Sequence, residues 1–420
     1  MTAPASPPVV YLHIGTPKSG TSYLQALLSA NKEALASQGV LWPGATWGAQ
    51  VAAVRDLRGL RAKRGLRRNG AWMRLARQVT GWTGNRAVVS MEWLVNLRPH
   101  QITAAVDSLR PCRVEVVCTA RDLVRTVPAA WQEAMQNGRT WSWEEFLTEV
   151  TDDDPPSTAA GRGFWIGQDV PALARRWSTA VPMERFHVVT VPPAGADPTL
   201  LWSRVGTLLG LDPTVFRQPQ RSNESLGAVS AQLMWLVNQR TAELELQRRS
   251  YRPLLKRNLA KSVLVTRKGR EGRLVLPPHA HGWATGRASD MVQELKNLPV
   301  DVVGDLQDLL PDPTPQTGED PGTVPDAELL DAAVDGLAGL AAIESRSRQR
   351  AEDEMRRLRR QVRQLRRRHT PTEASAAAVE GSRLPRSVRQ RTAAVRVGVR
   401  GALRRARSRG GSDPRRSSSE

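Results

Sequence analysis

The chain has 420 residues, with 61 Lys+Arg against 41 Asp+Glu and a formal net charge of +20. Residues 340–420 hold 23 of the basic and 8 of the acidic residues, so +15 of the charge falls in the last fifth, while all 13 Trp, 4 Phe and 3 Tyr lie at or before Trp283. A core-forming body of roughly 310 residues therefore precedes a ring-free basic tail, and two cysteines, Cys112 and Cys118, exclude a disulfide-rich scaffold or a four-cysteine zinc site.

The N-terminus lacks the basic-then-apolar pattern of a signal peptide, and no apolar run reaches the roughly 18 residues of a membrane span. With the sparse cysteines, this leads us to expect a cytoplasmic protein, peripheral at most to the inner membrane face. The run Val9 to Gly15 (VVYLHIG) is an apolar strand, and Thr21 to about Ala36 follows as an amphipathic helix. Further strands are expected at Arg86 to Ser90, Arg113 to Thr119 and Arg185 to Val191, with helices over 122–136, 168–180, 198–209 and 226–247. This alternation predicts an α/β fold of three layers, with a central parallel sheet covered by helices on both faces.

Pro311 to Asp326 carries five Pro and two Gly and reads as an extended linker that closes a body of residues 1–310. Beyond it, Leu330, Val334, Leu337, Ala341, Glu344, Arg348, Ala351, Met355, Leu358, Val362 and Leu365 alternate at spacings of four and three. That is the a/d seam of a coiled-coil helix over 327–369, a candidate homo-oligomer contact whose polar members Glu344 and Arg348 weaken the seam or fix its register. A single solvated helix is the alternative. Residues 370–420, rich in Arg, Ser and Ala, are compositionally disordered.

The first strand leads into Gly15-Thr16-Pro17-Lys18-Ser19-Gly20-Thr21-Ser22-Tyr23 and directly on to a helix. Such a turn aims backbone N–H groups and the positive end of the helix at an anion, with hydroxyls and a lysine completing the cradle. A nucleotide-triphosphate loop reads GxxxxGK[ST], with its lysine after the second glycine; here Lys18 precedes Gly20.

The string PKSGTS followed by an aromatic resembles the 5′-phosphosulfate loop of sulfotransferases that use 3′-phosphoadenosine 5′-phosphosulfate (PAPS), and the resemblance implies a P-loop-like form of the three-layer α/β fold. The resemblance implies that Lys18 contacts the bridging oxygen and transferred sulfuryl group, that Ser19, Gly20, Thr21 and Ser22 hold the 5′-phosphate, and that Pro17 and Tyr23 frame the same cofactor loop. Sulfuryl carries less charge than a terminal phosphoryl group, so a lysine with oriented N–H donors suffices as a clamp and no metal is expected.

Arg121, in the Ala120-Arg121-Asp122 segment that ends the third strand, is similar to the family's 3′-phosphate arginine, and a guanidinium at a strand's carboxyl end faces the ligand edge of a parallel sheet. The family's serine eight residues on is Ala129 here. Glu92, just past the strand RAVVS, is the expected general base, by resemblance to the glycosaminoglycan-modifying branch. The reading is a sulfotransferase transferring sulfuryl from PAPS to a hydroxyl or amine of a glycan, glycolipid or small metabolite. The alternatives are a P-loop kinase or nucleotide-binding protein, or an inactive scaffold acting through coiled coil and tail.

Weaker signals are Arg221, in a helix-capping segment, and Arg267-Lys268-Gly269, a tripeptide that cytosolic-type sulfotransferases use near the 3′-phosphate. His279 and His281 lack partners for a metal, and Trp131, Trp141, Trp143 and Trp165 read as core before acceptor pocket. The 12 Arg between Arg383 and Arg416 would draw an anionic membrane or another polyanion. Without aromatic stacking residues, no specific nucleic-acid recognition is expected.

Overall fold

The computed structural model describes residues 7–59, 70–152, 158–219, 225–312 and 317–368. Arg221 and the basic tail lie outside them. Six strands, β1 (Val9–His13), β2 (Val40–Leu41), β3 (Arg86–Ser90), β4 (Arg113–Ala120), β5 (Phe186–Thr190) and β6 (Asp301–Val303), form one sheet. Its order is β2-β3-β1-β4-β5-β6 and every pairing is parallel. The first strand in the sequence, β1, is central, with β3 and β2 on one flank and β4, β5 and β6 on the other. The crevice beyond the carboxyl ends of β1 and β4 is where such a sheet admits a ligand.

Strand alternation explains the three layers. Val10, Leu12, Ala87, Val89, Val116 and Val188 point into one core, packed by helices that include Pro99–Asp107 and Val170–Trp177. Tyr11, Val88, Val117 and Val189 point into the other, against helices Thr21–Ala30 and Leu200–Leu208. Successive strand residues face opposite sides, so nearly continuous apolar runs are needed when both faces are covered. The helix expected over 21–36 is two, Thr21–Ala30 and Lys32–Ser37, divided at Asn31, whose side chain turns back to the Leu27 carbonyl at 2.8 Å. A separate helical lobe packs Leu123–Gln136, Trp143–Thr151, Ala228–Glu243, Arg252–Val263 and Pro278–Lys296 around Trp131, Trp143 and Tyr251.

The chain divides into two compact units, Met1–Ile343 and Glu344–Glu420. The first runs past the boundary expected at residue 310. Glu319 exchanges backbone hydrogen bonds with Arg273 and Val275 at 2.8 and 3.2 Å, Pro321 is buried, and Asp331 pairs with Arg267 at 2.9 Å. The proline-rich segment thus adds backbone pairing and a buried Pro321 to the body, where composition alone suggested an extended linker. A helix spans Asp326–Arg368. No helix of the described residues is long and apolar enough to cross a membrane.

Candidate active site

The loop after β1 takes its shape from three residues with positive φ. Gly15 (φ 52°) and Gly20 (φ 82°) leave no room for a side chain: a Cβ would lie 2.3 Å from Thr21 and 2.5 Å from Leu201, respectively. Lys18 itself sits at φ 71°, a conformation that costs about 1 kcal/mol or more outside glycine and clusters at functional sites. No side chain caps the helix that begins at Thr21, and its first turn holds no acidic residue. Its positive end is therefore open to an anion.

Beneath the loop, His13 is buried and bridges three strands, its ring within 2.7 Å of Ser90 Oγ and 3.2 Å of Thr119 Oγ1. Burial pulls the His13 pKa down to about 4, so the ring stays neutral and serves as a hydrogen-bonded strut. Ser19 belongs to this strut. Its hydroxyl donates to the Thr16 carbonyl at 2.6 Å and lies 2.6 Å from Thr119 Oγ1, fully buried. The Ser19 side chain, expected at the phosphate, instead pins the loop to β4. Pro17 has a similar role, its carbonyl accepting from Gln168 Nε2 at 2.7 Å.

The remaining loop residues line a cleft of about 620 Å³ together with Glu92, Arg121, Arg125, Ala129, Glu133, Lys256, Lys261 and Arg273. Lys18, Gly20, Thr21, Ser22 and Tyr23 are all in its wall. Thus β1, β3 and β4 each deliver a candidate at the carboxyl edge: Lys18, Glu92 and Arg121.

At one pole, Lys18 Nζ lies 3.0 Å from Glu133 Oε2, and Thr21 Oγ1 donates to Glu92 Oε2 at 3.0 Å. Burial and the nearby Glu133 charge raise the Glu92 pKa, against smaller opposing effects from Thr21, Lys18 and Lys256. Burial also pushes Glu133 upward, but the Lys18 charge and hydrogen bond, with Lys256 and Lys261, outweigh it and leave its pKa lowered. Two neighbouring carboxylates are thus driven apart, one into a firm ion pair and the other toward proton exchange, the pattern expected of an acid–base site.

At the other pole, Arg121 donates to the Lys18 carbonyl at 3.3 Å, while its buried Nε has no hydrogen-bond partner. Burial, with Arg125 and Arg273 nearby, pulls its pKa down to about 10 despite Asp122. Asp122 is committed elsewhere. It caps the helix Leu123–Gln136 through Arg125 N at 2.9 Å and pairs with the Arg125 guanidinium. Arg121 is thus a half-buried guanidinium with an unpaired N–H, beside two further arginines, and a buried polar group ordinarily has a hydrogen-bond partner.

Glu133, Lys256, Lys261 and Arg273 carry no local motif. Glu133 lies one helical turn beyond Ala129, which is visible from spacing once the helix is known. The Lys256 and Lys261 pair sits on Arg252–Val263, far along the chain. By contrast, Arg267 is 5 % exposed and spends its guanidinium on Glu271 at 3.3 Å, Asp331 at 2.9 Å and Asp335, so Arg267-Lys268-Gly269 is a structural element here. Trp131 and Trp143 are core residues. Among the described residues no group of three or more His, Cys, Asp or Glu is placed to hold a metal ion.

The fold and site define an α/β protein with a cleft at the carboxyl edge of a parallel sheet, lined by six cationic residues and by Glu92 and Glu133. It is similar to a sulfotransferase crystal structure from Alicyclobacillus acidocaldarius, at 16% identity and a TM-score of 0.35, over 58% of this chain and 98% of that one. A sulfotransferase domain from the curacin biosynthetic pathway is similar at 11% identity and a TM-score of 0.26, over 52% and 80%. No protein-family model and no curated protein matches the chain.

Proposed function

We propose that the chain is a sulfotransferase that uses PAPS as donor and a hydroxyl or amine as acceptor. The observation that carries this reading is the pairing of two cationic poles in one cleft, the uncapped helix end with Lys18 and the underpaired Arg121 with Arg125 and Arg273. A ligand with phosphate at both ends of a nucleoside matches that division. The amides after Gly20, with Thr21 and Ser22, would hold the 5′ group, and Arg121 would hold the 3′-phosphate through its idle Nε.

PAPS supplies the sulfuryl group and a bisphosphate leaving group. Lys18 exchanges Glu133 for the incoming anion and stabilises charge that develops on the bridging oxygen. Glu92, its pKa raised and its carboxylate oriented by Thr21, accepts the acceptor's proton at Oε. Before the anion binds, Glu133 holds the Lys18 side chain directed into the cleft.

The test is thermal-shift titration with adenosine 3′,5′-bisphosphate, with ATP plus magnesium, and with buffer alone. A ligand at 100 times its Kd stabilises the fold by about 2.7 kcal/mol, so we expect a clear shift with the bisphosphate and little with ATP. A selective ATP shift would move the assignment to a kinase or nucleotidase, and no shift with either would leave a scaffold. In the Lys18→Ala variant, bisphosphate binding persists and sulfuryl transfer falls by about 10³-fold, the scale of losing one oxyanion donor.

A further inference from the structure

The first turns of the helix Asp326–Arg368 dock onto the body through one face only. Leu329, Ala332, Ala333 and Leu340 join the helical lobe. Gly336 and Gly339 allow the close approach, since a Cβ at either would meet Leu259 at 3.1 Å or Val263 at 2.5 Å. The a/d seam lies on another face. Leu330, Val334, Leu337, Met355, Leu358 and Val362 are between 47% and 70% exposed, six large apolar side chains in one stripe that stays open among the described residues.

Charge along the helix is divided. Residues 326–345 contain five acidic and no basic residues, whereas 346–368 contain eleven Arg and three acidic residues, a net of −5 followed by +8. Two copies in parallel would set like against like along their whole length. Two copies in antiparallel alignment set −5 beside +8, and charge on the flanks of the seam decides orientation.

The seam itself selects the register. Antiparallel coils layer an a position against a d position. With Val334, Ala341, Arg348, Met355 and Val362 at a, and Leu330, Leu337, Glu344, Ala351 and Leu358 at d, one alignment gives the layers Leu330–Val362, Val334–Leu358, Leu337–Met355, Ala341–Ala351 and Glu344–Arg348. Large residues meet large ones, the two alanines meet each other, and the two polar seam residues meet as opposite charges. Within one copy, Arg348 and Glu344 already form an exposed i,i+4 pair at 2.9 Å, so pairing completes a four-charge box at the centre. A shift by one heptad puts Glu344 against Met355.

We propose that this stripe binds a second copy of the chain as an antiparallel coiled coil, centred on Glu344 and Arg348. The proposal is independent of the sulfotransferase reading. It is tested on the full-length chain carrying Cys112→Ser, with Ala341→Cys or Ala351→Cys added. Sedimentation equilibrium gives a dimer, and mild oxidation cross-links an equimolar mixture of the two cysteine variants while each alone stays largely unlinked. A monomeric mass overturns the proposal, as does self-cross-linking of Ala341→Cys, which would mean a parallel pair. Glu344→Arg weakens dimerisation at least tenfold, and adding Arg348→Glu restores it; an unchanged dimer in Glu344→Arg overturns the register.

Discussion

Arg121 and Arg267 are both arginines drawn out of water, in opposite surroundings. Arg267 has three carboxylates around it. Burial opposes its charge, yet its hydrogen bonds to Asp331 and Asp335 and the Glu271 charge hold its pKa above the ordinary value. Arg121 has a carbonyl, two neighbouring cations, one nearby carboxylate, Asp122, that is already paired with Arg125, and a buried Nε without a hydrogen-bond partner. The first is a finished structural joint between the Arg267 turn and the segment around Asp331. The second has its Nε unpaired beside the cleft, which under the proposed function is the group that meets the 3′-phosphate. Burial alone does not distinguish them; the number of counter-charges does.

The comparison breaks most sharply on Arg121→Ala. Removing one partner of a buried charge pair costs about 2–5 kcal/mol of binding. Affinity for adenosine 3′,5′-bisphosphate, measured by calorimetry, should fall by at least 30-fold, while the ligand-free protein melts no lower because an unpaired buried cation has gone. A lowered melting temperature with unchanged affinity would make Arg121 structural. Arg267→Ala should do the reverse. Its loss strands Glu271, which is almost fully buried, and should cost about 3 kcal/mol of stability in chemical denaturation, near the low end for a buried network because Asp331 and Asp335 are partly in water. Bisphosphate affinity of the folded variant should stay within about twofold, below 1 kcal/mol.

The smallest effect concerns pH. Glu92 acts as a base only when ionised, and its folded pKa is raised, so kcat/KM should fall on the acid side at a pH above the range near 4.3 of an ordinary glutamate. Glu92→Gln should flatten that limb. The sign for stability is opposite: a carboxyl with a raised folded pKa favours the fold most at low pH, and this contribution is lost as pH rises through that value. A kcat/KM profile with its acid limb at the ordinary glutamate value would remove Glu92 as the base.

Much of the site was legible because it is local. A strand, a glycine-bounded turn and a helix follow one another within residues 9–30, and Lys18, Thr21 and Ser22 are fixed by that sequence of elements. Glu92 and Arg121 were legible for the same reason, each just past the end of an apolar strand. Ser19 shows where locality stops. Its hydroxyl belongs to the same motif, but β4 brings Thr119 within reach and turns it inward. The three-letter match at Arg267 failed because its aspartates lie more than sixty residues later.

The sequence by itself determined the parallel α/β architecture, through runs apolar on both strand faces, and the tight loop after β1, through Gly15 and Gly20, where a side chain would collide with its neighbours. It also determined the a/d stripe, whose spacing needs no fold to be read. Only the tertiary structure decided which charges share the cleft. Glu133, Lys256, Lys261 and Arg273 come from separate helices and a late turn, and no local pattern encodes the distance between side chains that chain packing alone brings together.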